Sequence, residues 1–233
     1  AIKLTTKKPV IYDFRSQDVL MGGNGAPLVP IGDELLFSQY DACLNLGGFS
    51  NISLQKNHQR IAFDISPVNV VLNYFAEKLG KNYDENGDFA RNGAINFKIL
   101  EQLNALTFYQ KPAPKSLGVE VVNSVVFPLL KDETPENIIA TFTEHIAEQI
   151  AKVFNDNQLK TVLVTGGGTF NTYLLEKIRE KSQTELIVPD ENIINFKEAL
   201  IFAFMGVLRL RNEVNVLCSA TGSSENHCSG ILV

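Results

Sequence analysis

The chain has 233 residues, 45% of them hydrophobic and 20% charged, with a net charge of −5. That length holds one large domain or two small ones around a real core. The acidic balance, with no Lys/Arg run longer than Lys7-Lys8, argues against a nucleic-acid surface. No apolar run reaches membrane-spanning length, and the opening Ala1-Ile-Lys-Leu-Thr-Thr lacks the plan of a signal peptide. The expected setting is therefore the cytoplasm, with Cys43, Cys218 and Cys228 reduced. Cys218 with His227-Cys228 gives three ligands at most and no Cys-x-x-Cys, so no zinc site is expected.

In chain order, Pro9–Asp13 predicts a short strand end, and Arg15–Pro30 a glycine-rich loop holding Gly22-Gly-Asn-Gly-Ala-Pro27. Three strands follow at 42–46, 51–55 and 60–64, the first two joined by a Gly47-Gly48 turn. Ser66-Pro67 has the form of an N-cap and first helical residue. The helix then runs through Val70, Val71, Tyr74, Phe75 and Leu79 to a stop at Gly80. Residues 81–133 predict a helical insertion, with one helix around Phe97–Leu106 and a loop at Pro112–Gly118.

Thr134-Pro135 opens a long helix whose apolar positions Ile138, Ile139, Phe142, Ile146, Ile150 and Val153 keep helical spacing. His145, beside that stripe, is expected on the surface or flank. Thr161–Thr165 predicts a buried strand running into Gly166-Gly-Gly168, and Asn171 the cap of a helix through Leu174, Leu175 and Ile178. A strand at Glu185–Val188 and a last helix at Phe196–Arg211 precede a Ser/Gly/Asn-rich tail expected to wrap the surface.

Three meander strands, then helix, strand, helix, strand and helix, give an α/β fold. The order is that of a ribonuclease-H-like lobe, a mixed sheet flanked by helices. In such a sheet ligands sit beyond the strand ends, where glycine turns and helix N-termini gather. The Gly47-Gly48 hairpin exposes backbone N–H groups to phosphate oxygens. Asp64, read at the end of the Arg60–Phe63 strand, has the chemistry to take a proton or hold a metal. Each has a structural alternative: Gly-Gly turns occur in many hairpins, and an Asp before a helix can serve its N-terminus. The triple glycine weighs toward a ligand. Close helix–sheet packing needs one glycine or two, whereas three open consecutive backbone to a phosphate or nucleotide. There is no Walker-A pattern and no Gly-x-Gly-x-x-Gly after a strand, which sets aside P-loop and Rossmann sites.

Five motifs occur in order: Asp13-Phe-Arg-x-x-Asp18, Gly22-Gly-Asn-Gly-Ala-Pro-Leu-Val-Pro30, Asn45-Leu-Gly-Gly-Phe-Ser-Asn51, Phe63-Asp64-x-x-Pro67-x-Asn69 and Thr165-Gly-Gly-Gly-Thr-Phe-Asn171. Together they resemble the anhydro-N-acetylmuramic acid kinase family of the actin-like ATPase and sugar-kinase superfamily, from about residue 9 to the C-terminus. The resemblance implies a cytoplasmic homodimer in peptidoglycan recycling. It would use ATP and Mg²⁺ to turn 1,6-anhydro-N-acetylmuramic acid into N-acetylmuramic acid 6-phosphate while water opens the anhydro ring. It implies Asp64 as catalytic base, Gly47 and Gly48 at the phosphates, and Gly166, Gly167 and Gly168 with Asn171 at the nucleotide. Asp13, Arg15, Gly23 and Gly25 fall on the sugar side, as does Glu198 from a family acidic position. The resemblance identifies no metal ligands.

Two departures bear on that expectation. Ser66-Pro67-Val68-Asn69 stands where the family has Gly-Pro-Gly-Asn, so the turn is expected to differ slightly. Family members also begin with a further stretch carrying a Gly-x-x-Ser-Gly-Thr-Ser-x-Asp-Gly phosphate loop, and this sequence has none. The expected organisation is a remnant of the N-terminal lobe at 1–40 and a C-terminal lobe at 41–233. Two functions stay open: the sugar kinase, or a non-catalytic lobe that binds sugar or nucleotide and needs its N-terminal half for activity.

Overall fold

The computed structural model describes residues 1–233. Seven strands, β1 (Ile11–Tyr12), β2 (Ala42–Leu46), β3 (Phe49–Lys56), β4 (Gln59–Pro67), β5 (Thr161–Thr165), β6 (Glu185–Ile187) and β7 (Ile231–Leu232), form two sheets. The larger has the order β4-β3-β2-β5-β6. Two-residue turns make β2, β3 and β4 an antiparallel meander. β5 then lies parallel to β2, with Asn45 opposite Thr165, and β6 lies parallel to β5. This is the expected ribonuclease-H-like order.

The chain divides into two compact units. One comprises Ala1–Gln39, Ser53–Ala62 and Phe196–Val233; the other comprises Tyr40–Ile52 and Phe63–Asn195. Residues 196–233 thus group with the N-terminal residues.

In the second unit the helix Pro135–Asp156 packs against the helices Asn69–Lys78, Asp88–Asn92, Phe97–Asn104 and Thr172–Lys181. Thr134 caps that helix by accepting the Asn137 N–H, and Pro135 occupies its first turn, where a missing N–H is harmless. Ile138, Ile139, Phe142, Ile146, Ile150 and Phe154 are all buried, each worth about 1.5–3 kcal/mol of transfer free energy. His145 is also fully buried, not on a flank: Asn104 and Tyr109 satisfy both ring nitrogens, so the core accepts it.

Ser66 and Pro67 do not start a helix; they end β4. The buried Ser50 hydroxyl takes both backbone groups of Ser66, at 3.0 and 3.1 Å, which holds Ser66 in strand pairing. The helix Asn69–Lys78 follows, with fully buried Val68 at its N-cap. Val68 has φ −131°, so no glycine is required there. Val68, Asn69 and Val70 donate their N–H groups to the Gly48, Gly47 and Gly48 carbonyls, which replaces a side-chain cap.

In the first unit β1 pairs antiparallel with β7. The expected glycine loop contains a short helix, Ser16–Leu20, because the Asp13 carboxylate accepts the Ser16 N–H at 3.0 Å and starts a turn. The helix expected at Phe196–Arg211 spans Glu191–Leu210, beginning five residues early; Asp190 accepts the Asn192 and Ile193 N–H groups there. Phe14, Leu28, Ile31, Ile201, Met205 and Leu208 are buried in this unit. Arg60 is buried too, paired with Glu34 at 2.9 Å and donating to the Ser53 and Asp33 carbonyls.

Candidate functional site

The parallel pairing of β2 with β5 brings their C-terminal ends side by side. The chain leaves β2 through Gly47-Gly48 and leaves β5 through Gly166–Gly168, so two glycine turns meet at one end of the sheet. The three glycines after β5 are not equivalent. Gly166 has φ +88°, and a Cβ there would stand 2.5 Å from Asn45 Oδ1 and 2.8 Å from the Leu46 carbonyl oxygen. A Cβ on Gly168 would meet Leu46 Cβ at 2.8 Å. These two let the turn press against the end of β2. Gly167 is the open one: the nearest atom to its Cβ position is Asn69 Nδ2, 4.0 Å away.

Other groups converge on the same place. Asn69 donates its amide to the Leu46 carbonyl at 3.3 Å. Thr169, in the same turn, has a buried hydroxyl with no hydrogen-bond partner. Such groups normally find one, and a bound oxyanion would supply it. Asn171 caps the helix Thr172–Lys181, its Oδ1 accepting the Leu174 N–H at 3.0 Å. Its carbonyl is therefore engaged in the fold, leaving its amide for any ligand. An open glycine, an orphan hydroxyl and the N-terminus of a ten-residue helix fit a phosphate-bearing group.

Asp64 lies inside β4, three residues before its end, rather than at a strand terminus. Its backbone N–H donates to the Lys115 carbonyl at 2.9 Å, and Oδ2 accepts the Leu117 N–H at 2.7 Å. Partial burial raises its carboxyl above the usual range, and the Leu117 bond pulls it back toward ionisation. No group of three or more His, Cys, Asp or Glu side chains gathers as a metal cluster.

In the first unit, Asp13, Arg15, Gly23 and Gly25 lie together around one turn. Asp13 has φ +53°, and hydrogen bonds from the Ser16 side chain and then its N–H hold the carboxyl below its usual range. A Cβ on Gly25 (φ +67°) would stand 2.5 Å from Arg15 Cγ. The organiser of the loop is Asp18, fully buried, which accepts Gly25 N–H at 2.7 Å and Thr221 Oγ1 at 2.6 Å. Its carboxylate fills the space where a Gly23 Cβ would be. Glu198 is exposed on the helix Glu191–Leu210; its neighbour Lys197 points inward, in an ion pair with Asp33.

The anhydro-N-acetylmuramic acid kinase family matches this sequence over residues 1–233. The chain belongs to that family. Among its relatives, the anhydro-N-acetylmuramic acid kinase of Francisella tularensis subsp. novicida is 33% identical, over 92% of this chain and 61% of the relative. That of Haemophilus influenzae is 35% identical, over 92% and 63%. The chain thus spans about three fifths of the length of these relatives. A solved structure, the activator of the 2-hydroxyisocaproyl-CoA dehydratase from Clostridium difficile with bound ADPNP, is 16% identical. It covers 74% of this chain and 61% of its own, with a TM-score of 0.46.

In this anhydro-N-acetylmuramic acid kinase family member, sequence reasoning passed over two residues that organise the sites. Asn69 ties Leu46 to the glycine turns, and Asp18 shapes the Gly22–Pro27 loop. The signal for both was present: each closes one of the spaced motifs, Asp64-x-x-Pro67-x-Asn69 and Asp13-Phe-Arg-x-x-Asp18. No helix is long and apolar enough to cross a membrane.

Proposed function

We propose that this chain forms part of an ATP-dependent anhydrosugar kinase, a cytoplasmic homodimer that converts 1,6-anhydro-N-acetylmuramic acid to N-acetylmuramic acid 6-phosphate. The observation that carries the reading is the family match through residues 1–233, to relatives named for that kinase activity. ATP with Mg²⁺ supplies the phosphoryl group when bound. Gly47, Gly48, Gly167 and the Thr169 hydroxyl would hold phosphate oxygens, and the Asn171 amide the nucleotide.

Asp64 acts as the general base. Its carboxylate takes a proton from the water that attacks the anomeric carbon; the C1–O6 bond breaks, and O6 receives the γ-phosphoryl group as the bond from the γ-phosphorus to the β,γ-bridging oxygen breaks and ADP leaves. The opposing effects on its carboxyl suit the role: burial makes it more basic, and the Leu117 N–H keeps it available as the anion. Asp13, Arg15, Gly23 and Gly25 would form the sugar side, with Glu198.

The test is ATP-dependent turnover of 1,6-anhydro-N-acetylmuramic acid, with the product identified by mass. Parent and Asp64→Asn are assayed in the 233-residue chain and again in the chain extended to the length of the relatives. Asp64→Asn is expected to lower turnover by about 10²–10⁴-fold. Turnover only in the extended form favours the second reading, a lobe inactive alone, which the 61% coverage motivates. No 6-phosphate from either form sinks the kinase reading.

A further inference from the structure

Asp64 is held by a segment that is neither strand nor neighbour in sequence. β4 is the edge of the five-stranded sheet, and at Asp64 the loop Lys111–Gly118 lies along it. Lys115 accepts the Asp64 N–H, and Leu117 donates to the carboxylate. An irregular loop holds such a geometry only if it is itself anchored. The Lys115 ammonium donates to the Phe108 carbonyl at 3.2 Å and sits 4.6 Å above the Phe108 ring.

Phe108 lies on the short helix Thr107–Gln110 beside Tyr109, whose hydroxyl is 2.7 Å from His145 Nε2. The other ring nitrogen, Nδ1, is 2.6 Å from Asn104 Oδ1. Asn104 gives its amide to Glu148 at 2.6 Å, and its Oδ1 also accepts from Gln149 at 2.8 Å. A carboxylate partner fixes which way that amide points, so Oδ1 is an acceptor toward His145. His145 therefore carries its proton on Nδ1 and accepts the Tyr109 O–H at Nε2. The long helix thereby pins the Phe108–Tyr109 step, and Lys115 carries the constraint on to the loop.

We propose that Tyr109 and Lys115 are positioning residues for Asp64: anchored on His145 and Phe108, they brace the loop so that the Leu117 N–H engages one carboxylate oxygen and leaves the other aimed for proton abstraction. The role of the free oxygen rests on Asp64 being the base; the brace itself does not. Removing the Leu117 donor while burial persists moves the carboxyl upward, since burial raises it and this bond alone lowers it.

The test follows the ¹³C carboxyl titration of Asp64 in the 233-residue protein, its signal assigned by loss in Asp64→Asn. Lys115→Met keeps the aliphatic stem without the ammonium, and Tyr109→Phe keeps the ring without the hydroxyl. Each is expected to raise the Asp64 midpoint by about half a pH unit or more. Lys111→Met, an exposed lysine of the same loop, is expected to leave it in place. An unmoved midpoint in folded Lys115→Met overturns the proposal, even if that variant melts earlier and whatever Tyr109→Phe does. In the active form, kcat falls about tenfold with KM little changed, and the acid limb of the pH profile shifts with the NMR midpoint. A shifted midpoint beside full activity in Asp64→Asn upholds the brace and removes the general-base reading.

Discussion

The two units bury polar groups by different means. In the first, Arg60 meets Glu34 at 2.9 Å, and Lys197 meets Asp33 at 2.6 Å, off the line of a directed hydrogen bond. In the second, the side chains gathered around the buried His145 ring are neutral: His145 with Tyr109 and Asn104, and Gln149 with Asn104. The contrast predicts different weaknesses. A buried ion pair fails when one member is removed, because the other charge is stranded. A neutral network holds until a proton enters it.

The largest expected effect breaks the first arrangement. Lys197→Met retains most of the side-chain volume but leaves the Asp33 carboxylate buried, since both side chains are nearly inaccessible to water. The loss of stability should reach about 3–5 kcal/mol in urea unfolding. Adding Asp33→Asn to that variant should recover much of it, because no charge is then stranded. A single variant within about 1 kcal/mol of the parent would show that the pair does not matter to the unit.

Glycine placement sharpens the same contrast. In the Gly22–Pro27 loop the missing Cβ atoms make room for side chains, Asp18 at Gly23 and Arg15 at Gly25; at Gly166 the space is taken partly by the Leu46 backbone. Backbone cannot swing aside, and φ +88° is unfavourable for any side chain. Gly166→Ala should therefore destabilise by about 2–3 kcal/mol. Gly167→Ala, with nothing nearer than 4.0 Å, should change stability by no more than about 0.5 kcal/mol. If the proposed phosphate site is correct, it should nonetheless weaken ATP binding measured by calorimetry. Equal stability losses in the two variants would mean that Gly167 also serves packing.

The sequence made the scaffold legible where local signals and tertiary demands agree. The Val-Leu-Val run of β5, the Thr134-Pro135 start and the Asn171 cap all appear as read, because each acts within its own turn or strand. Ser66-Pro67 misled because the same local pattern serves a strand once Ser50, sixteen residues away, supplies the hydrogen bonds. The Asp190 cap was readable before Glu191 but was hidden by the stronger apolar pattern further along. Asp64 stood out through its motif. Its partner Leu117, 53 residues distant, did not, since a backbone N–H in an irregular loop leaves no mark on residue type. His145 was misplaced for a related reason: its partners, Asn104 and Tyr109, lie 41 and 36 residues away.

That buried histidine gives the second unit its expected acid response. Burial holds the His145 imidazole down to about 3, against an ordinary value of 6.5. The folded pKa is depressed, so between those values the unfolded chain binds a proton that the folded chain refuses. Its contribution is complete above pH 6.5 and is lost as pH falls toward the folded value. In that window the unfolding free energy should drop by up to about 1.4 kcal/mol per pH unit from this group alone. His145→Gln retains a donor and an acceptor without the titration. Its unfolding free energy, measured from about pH 7 to 4.5, should fall less steeply than the parent's by one proton, whatever its value at neutral pH. Lys197→Met should keep the parent's contribution from His145. If His145→Gln and the parent instead fall in parallel, His145 is already protonated in the folded state, and Asn104 and Tyr109 would both have to accept from it. Asn104 Oδ1 could do so unchanged, whereas the Tyr109 hydroxyl would have to turn its proton away from Nε2.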